Sequence, residues 1–362
     1  MIKRIISLLL AFSLISVPVW AQETEYYQEE ATRLPYSVAL RGAIRNLPAI
    51  TSMDDSIEDL TEMRDDLRAI LDLRRTTGTL TREEERRLQR QIADLGASVN
   101  TMRASQEIIR TSTEFLMRSS ITQINNTRID IQLLEATLEH ESANFEIARQ
   151  RFAAGQISES ELNALELLLE RREADMASLR VSLDIEIQNL NRILQRPVTS
   201  NYYIYFDREL MELPENLDAH VRRYAPREPN VRQMEIALNR AQAAVNDEHD
   251  LASPQRAERE RARNQAERQL NATLRSVETA MRNQYNALTM LRHNIQSLEI
   301  ELQRVQAVHE AALLNYQQGM VTRFDVEAAE LAILRVELSI EQNLNTFWNS
   351  QFLFENPFLL LQ

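Results

Sequence analysis

The chain has 362 residues with 5 glycines, 9 prolines and no cysteine, and its formal net charge is −13. Without cysteine there is neither a disulfide framework nor a lipid-modified N-terminal cysteine, and an acidic chain without a basic block argues against a nucleic-acid partner. Few glycines and prolines, 26% charged residues and 6% aromatic residues favour long helices over a compact α/β domain.

The start of the chain has the pattern of a secretion signal. A short basic start is followed by an apolar run at 5–17 and by the small residue Ala21 at the cleavage position. A membrane anchor is the alternative, but this run is shorter than the roughly 18 apolar residues that a spanning helix needs. We therefore predict an exported protein with a signal peptide at 1–21 and an N-terminal segment at 22–35.

The stretch "FAAGQISESELNALE" predicts a tight turn between two helices. Gly155 closes the first helix, because glycine takes a left-handed backbone without a Cβ clash. Ser158 then caps the next helix, and Glu161 three positions later completes a capping box. Ile157 and Leu162, on either side of the cap, suit a hydrophobic staple.

A second stretch, "YQQGMVTRFDVEAAE", repeats every part of this turn. Gly319 is the closing glycine, Thr322 the cap and Asp325 its partner in the box, with Val321 and Val326 as the staple. Each stretch therefore joins two antiparallel helices. A turn this specific that occurs twice indicates an internal duplication.

Each half has a further turn at its other end. In the first half, Gly78 is followed by Thr81 with Glu84 as another capping box. In the second half, Ser253 is the predicted cap and Pro254 occupies the first helical position. Both patterns predict that a long helix begins at this end of each half.

Each half should contain one long helix with two shorter helices stacked end to end beside it. At 1.5 Å per residue, the long helices span about 108 Å and about 95 Å, and their shorter partners sum to about 117 Å and about 92 Å. The predicted helices are 36–75, 82–153 and 158–195 in the first half and 220–249, 255–317 and 322–352 in the second.

This pattern predicts an all-α fold made of long antiparallel helical hairpins in two tandem repeats. Two apolar stripes along the last helix predict two packed neighbours, as in a bundle or ring of helices, with a plain antiparallel coiled coil as the alternative. The segment "YYIYF" (202–206) could form one short strand, but a packed crossover is favoured. The predicted boundaries are repeat 1 at 36–197, a crossover linker at 198–215, repeat 2 at 216–357 and a C-terminal tail at 358–362.

These turns resemble those of the TolC family of outer-membrane efflux proteins. The resemblance lies in the two glycine turns, in the helix after each and in "REPNVRQMEIALNRAQAAV" at the start of the second repeat. It implies a homotrimer with a long periplasmic tunnel, working with a periplasmic adaptor protein and an inner-membrane transporter. It also implies that the turns are the adaptor-docking tip, at Gly155, Gln156, Ile157, Ser158, Gly319, Met320, Val321 and Thr322.

The resemblance assigns a second role to Asp325, which aligns with the first of two aspartates that constrict the family's tunnel. The second aspartate falls on Ala328, which departs from the pattern. The tunnel constriction would then be weaker or built from other residues. A capping role accounts for Asp325 equally well.

A larger departure concerns the segments where the family has its membrane strands. Here the chain has "LDLRRTTGTLTREEERRLQRQ" and "NDEHDLASPQRAERERARNQ", which are highly charged and lack both aromatic residues and alternation. We hypothesise a TolC-like helical tunnel without the β-barrel strands. Such a protein would lie in the periplasm, associated with the outer membrane, and could meet a separate outer-membrane barrel.

Signals for catalysis are weak. The five histidines lie outside any metal-ligand spacing, and "DEHD" (247–250) fits a solvated loop better than a metal site. There is no glycine-rich phosphate loop and no nucleophile elbow. We therefore predict a transport component without a cofactor rather than an enzyme. The alternative is a non-conducting periplasmic helical scaffold.

Overall fold

Long helices dominate the computed structural model of the chain. None of them combines the length and the hydropathy that a membrane crossing requires, within the part of the chain that is described. The predicted signal peptide and the "DEHD" segment lie outside the described residues. The structure describes residues 32–45, 47–200, 202–205, 210–246 and 253–361.

The first repeat contains two short helices, one very long helix and a further helix. The long helix begins and ends at the predicted residues, which confirms the helical hairpin of this half. In chain order the elements are β1 (Thr32–Pro35), α1 (Tyr36–Arg45), α2 (Pro48–Thr76), α3 (Arg82–Ala153) and α4 (Glu159–Ile193).

The second repeat has the same order of elements with a shorter long helix. It follows a short strand and ends in a 3-10 helix at Pro357–Leu361, so part of the predicted tail at 358–362 is ordered, and Phe358 is buried. The elements are β2 (Tyr202–Tyr205), α5 (Leu217–Tyr224), a 3-10 turn (Ala225–Arg227), α6 (Pro229–Asn246), α7 (Ser253–Gln317) and α8 (Arg323–Glu355).

The long helices organise the packing of the protomer. The shorter helices α2 and α4 both lie against α3, and α6 and α8 both lie against α7. The two hairpin units join because α3 also contacts α6 and α8. Four positions therefore follow one another across the protomer. The shorter helices α2 and α4 occupy the first, α3 the second, the shorter helices α6 and α8 the third, and α7 the fourth. The two packed neighbours predicted for the last helix are α7 and α3.

Prolines divide two of the helices that the sequence pattern predicts as continuous. The predicted helix at 36–75 breaks before Pro48, where Leu47 is extended with φ −72° and ψ 116°. A residue before proline is driven out of the helical region by contact with the proline ring. The predicted helix at 220–249 likewise becomes α5, a 3-10 turn containing Pro226, and α6 starting at Pro229.

A two-stranded parallel ladder corrects the prediction of a strandless crossover at 202–206. Strand β2 pairs with β1, with Thr32 opposite Tyr202 and Pro35 opposite Tyr205. The ladder is a short addition to an otherwise helical fold. It ties the crossover between the repeats to the residues that precede α1.

The largest apolar clusters lie where the shorter helices meet beside the long ones. Leu34 of β1 and Ile204 of β2 join the first cluster, so the ladder shares its core with α1, α3 and α4. The corresponding region of the second repeat has two clusters, which include the fully buried Phe347 and Phe354. The other members at these levels include Ala39, Ala43, Met117, Ile121, Ile124, Leu190 and Leu194 in the first repeat and Val221, Ala225, Val231, Val277, Met281, Leu288 and Ile295 in the second.

Candidate docking site at the glycine turns

The first glycine turn closes α3 in the predicted way. Gly155 has φ +70°, a left-handed conformation that favours glycine. The N–H of Gln156 donates to the carbonyl of Arg151, and the N–H of Gly155 donates to that of Phe152, both at 2.8 Å. These two bonds form a Schellman motif, which satisfies carbonyls that the helix end would leave unpaired.

The helix that follows starts with a complete capping box. The Ser158 hydroxyl accepts a hydrogen bond from the N–H of Glu161 at 3.3 Å, and the Glu161 carboxylate accepts one from the N–H of Ser158 at 2.8 Å. The backbone N–H and then the hydroxyl of Ser158 lower the pKa of Glu161, because both stabilise its ionised form. The predicted cap is therefore confirmed.

The second turn reproduces this geometry between α7 and α8. Gly319 has φ +72°, and the N–H of Met320 donates to the carbonyl of Asn315 at 2.9 Å. The hydroxyl and the N–H of Thr322 both donate to the Asp325 carboxylate at 2.7 Å. These bonds, the hydroxyl first, lower the pKa of Asp325. The capping role of Asp325 is confirmed.

Neither glycine is needed to make room for a neighbour. A Cβ atom at Gly155 or Gly319 would have nothing within 4 Å. Their positive φ alone makes a substitution strained. The same holds for Gly78, which has φ +66° and closes α2 at the opposite end of the protomer.

Both turns lie at the same end of the protomer, and the first reaches further. Helices α3 and α8 run antiparallel, with the Gln342 amide donating to Asp130 at 2.6 Å. Nearer the turns, the rings of His140 and Phe324 stack with centroids 4.1 Å apart. His140 lies 15 residues before Gly155, whereas Phe324 lies five residues after Gly319. The first hairpin therefore extends beyond the second at this end.

The same arrangement of helices is found in solved bacterial outer-membrane proteins. CmeC, an outer membrane channel of Campylobacter jejuni, matches with a TM-score of 0.65 at 12% identity, over 89% of this chain and 85% of that one. VceC, an outer membrane protein of Vibrio cholerae, matches with a TM-score of 0.60 at 10% identity, over 89% and 96%. The MtrE channel of Neisseria gonorrhoeae matches with a TM-score of 0.55 at 13% identity, over 89% and 88%.

The chain has a TolC-like fold. No protein-family model matches its sequence, and no curated protein sequence matches it. The structural matches show the fold. At identities of 10% to 13% they do not show the function, which has to be argued from the residues.

Most of the candidate docking residues are exposed at the tip of this TolC-like fold. Gly155, Gln156, Ser158, Gly319 and Thr322 are exposed, and Ile157 and Val321 are half-buried. Met320 has 62% of its surface exposed. The structure brings these residues to one end of the protomer, which is the arrangement that docking would require.

Two aromatic side chains exposed at the tip are not among the docking residues predicted from the sequence. Phe152 and Tyr316 each lie three residues before a glycine and are 41% and 45% exposed. An aromatic residue repeated at the same distance from each glycine was the available signal. Its significance is apparent only once the helix ends are seen to leave both rings in solvent.

The outer edges of the protomer expose apolar side chains at seven-residue spacing. On α4, Leu167 and Val181 lie fourteen residues apart with an alanine midway, and they are 65% and 59% exposed. On α7, Ile300 and Leu314 repeat this pattern at 69% and 58% exposure. Each edge thus carries an unpaired heptad stripe, typical of a coiled-coil seam.

Proposed function

We propose that this protein is a periplasmic export duct of the TolC type that works as a homotrimer with a periplasmic adaptor protein and an inner-membrane transporter. The observation that carries the proposal is the pair of capped glycine turns exposed together at one end of a TolC-like fold. The docking residues would be Gly155 to Ser158 on the first turn and Gly319 to Thr322 on the second.

The edges of the protomer support a closed ring. The α4 stripe and the α7 stripe belong to opposite edges, so the α4 edge of one copy can pair with the α7 edge of the next. A head-to-tail contact of this kind closes into a ring when its rotation permits. Leu167 and Val181 on one copy would face Leu314 and Ile300 on the next, because α4 and α7 run in opposite directions.

The location and the constriction complete the proposal. The secretion signal predicted for 1–21 would deliver the chain to the periplasm, where the tip would face the transporter and the other end would approach the outer membrane. A ring would also place three copies of Asp325 near its axis, where their carboxylates would narrow the entrance and favour cations.

A substitution of Gly319 tests docking without testing folding. Asparagine tolerates a left-handed backbone better than other side chains, and open space around the position leaves its side chain room. We expect Gly319→Asn to cut adaptor co-purification and export at least tenfold, because the new side chain projects from the docking surface. Co-purification from membranes and an export assay in cells measure both.

Gly78→Asn is the control for this experiment. It creates the same backbone strain in the same kind of turn at the opposite end of the protomer. Thermal unfolding should shift equally in the two variants, and only Gly319→Asn should lose the adaptor. Equal adaptor binding by both variants would contradict docking at the tip and would favour a non-conducting scaffold.

A further inference from the structure

A small cavity lies on the surface of α3 between its neighbours α4 and α8. Its volume is about 210 Å³. Asp130, Leu133, Leu134 and Thr137 of α3 form its floor, and Arg172 of α4 and Arg335 of α8 reach over it from the two sides. Helices α4 and α8 flank α3 without a substantial contact between them, and both arginines line the cavity on this face of α3.

The apolar floor and the charged rim would suit different parts of one ligand. Two leucine side chains offer a surface to a flat or branched hydrocarbon group, which gains by leaving water. The Thr137 hydroxyl donates to the carbonyl of Leu133 at 2.7 Å and is not free for a ligand. Polar recognition at this cavity therefore comes from the charged groups.

Two of the three charged groups that line the cavity already have protein partners. Arg172 pairs with Glu141 at 3.4 Å, and Asp130 accepts a hydrogen bond from the Gln342 amide. Arg335 makes no hydrogen bond or ion pair through its side chain with the residues that the structure describes. The one charge that remains for a ligand is thus a guanidinium, which binds carboxylate, sulfonate or phosphate oxygens in a bidentate manner.

We propose that this cavity binds a small amphiphilic organic anion, with its apolar part on Leu133 and Leu134 and its acidic group on Arg335. A volume of about 210 Å³ is below the roughly 300–1,000 Å³ of drug-sized sites. The ligand is therefore a small molecule or one end of a larger one. Arg172 lines the opposite side of the cavity.

As a contact for cargo, this site rests on the proposed transport function. Thr137 lies 18 residues before Gly155, about 27 Å from the turn along the helix. The carboxylates proposed to narrow the entrance at Asp325 lie nearer the tip, so an anion would have to pass them before it met Arg335. Binding itself requires only the folded protomer, so it can be measured independently of export.

The probe is 1-naphthalenesulfonate, titrated calorimetrically into the mature chain, residues 22–362. We expect Arg335→Gln to weaken its binding at least tenfold and Arg335→Lys to weaken it by a smaller factor, because lysine keeps the charge but not the bidentate geometry. The neutral analogue 1-naphthalenemethanol should bind the wild type at least tenfold more weakly than the sulfonate. Leu134→Asn should also weaken binding of the sulfonate, because it replaces part of the apolar floor with a polar side chain.

Arg323→Gln is the matched control, since Arg323 is an exposed arginine on the same helix that does not line the cavity. It should leave sulfonate affinity unchanged. Equal affinity of wild type and Arg335→Gln, or an equal loss in Arg323→Gln, would overturn the site. Loss of adaptor docking in Gly319→Asn with unchanged sulfonate binding would leave this site intact, so the two proposals can fail separately.

Discussion

Asp325 has an observed structural role in the cap of α8 and a proposed functional role in the tunnel constriction. Its carboxylate completes the cap of α8 through two bonds from Thr322, and the residue is exposed at the tip. Asparagine can accept the same bonds, so Asp325→Asn removes the charge and keeps the cap. We expect this variant to lose at least tenfold in affinity for terbium(III), measured by its luminescence, because three converging carboxylates would bind a trivalent cation.

Glu161 supplies the control for the Asp325 experiment. It occupies the same position of the capping box at the first turn, and glutamine also serves in such a box. Glu161→Gln should therefore leave terbium binding unchanged if only the second turn forms the constriction. An Asp325→Asn trimer that still binds terbium with wild-type affinity would refute the constriction.

Glu228 is a buried carboxyl group whose ionisation opposes folding. It is 8% exposed, one carboxyl oxygen accepts a bond from the N–H of Phe358, and the other oxygen has no hydrogen-bond partner. Burial raises the pKa of Glu228 to about 7, and the neighbouring Glu107 adds to the shift, while the Phe358 N–H and Arg232 oppose it. The protonated form is therefore the one that fits the folded protein.

A raised pKa in the folded state has a definite consequence for stability. The folded protein holds this proton to higher pH than the unfolded chain, so the free energy of unfolding falls as the pH rises from about 4.5 to about 7. The fall attributable to Glu228 is about 3 kcal/mol at most. The fall in the free energy of unfolding between pH 5 and pH 8, measured by urea unfolding, should be smaller in Glu228→Gln than in the wild type. An unchanged fall would mean that Glu228 is not the group responsible.

At the scale of the elements, Arg118 links three helices at the level where the shorter helices meet. Its guanidinium lies 4.0 Å from the Trp348 ring centroid and 4.6 Å from that of Phe352, both on α8. Its Nε donates to the Tyr36 hydroxyl on α1 at 3.1 Å, and that hydroxyl donates to Glu114. Burial, followed by the charge of Glu114, raises the pKa of Tyr36, which keeps the phenol protonated.

A lysine in place of Arg118 would keep the positive charge and lose the planar contact of the guanidinium with the Trp348 and Phe352 rings. We expect Arg118→Lys to lower the free energy of unfolding by about 2 kcal/mol, since stacking on the rings and one hydrogen bond are lost. Arg149→Lys is the control, because Arg149 is 58% exposed and pairs only within α3. Urea unfolding of both variants measures the difference, and equal stability of the two would contradict the linking role.

What the sequence predicts at this scale depends on how far apart the interacting residues are. Each capping box and each glycine turn involves residues within six positions, so local rules located the ends of α3 and the start of α8. The contact of Arg118 with Trp348 joins residues 230 positions apart, and no local pattern marks it. The ladder joins Thr32 to Tyr202 through backbone bonds, which carry little sequence signal, so a crossover was favoured over a strand.

At the scale of the whole molecule, the exposed edges predict assembly. A protomer that leaves Leu167, Val181, Ile300 and Leu314 in solvent exposes apolar surface on two opposite sides, which commonly marks an interface. We expect the mature chain to have three times the protomer mass by light scattering. A monodisperse monomer would instead favour the scaffold. The sequence analysis identified stripes only on the last helix. Those of α4 and α7 became apparent once the structure placed these two helices at the edges of the protomer.

The pairing of the two edges can be tested by a charge exchange. Ile300→Glu should dissociate the trimer without unfolding the protomer, because burying a glutamate in the seam is costly, whereas Ile300 is 69% exposed in the protomer. Gln306→Glu adds the same charge at an exposed position of α7, about 120° around the helix axis from Ile300, and should remain trimeric. Adding Val181→Lys to Ile300→Glu should restore the trimer, since the lysine of one copy would face the glutamate of the next. A double variant as monomeric as Ile300→Glu alone would show that α4 and α7 do not meet in this register.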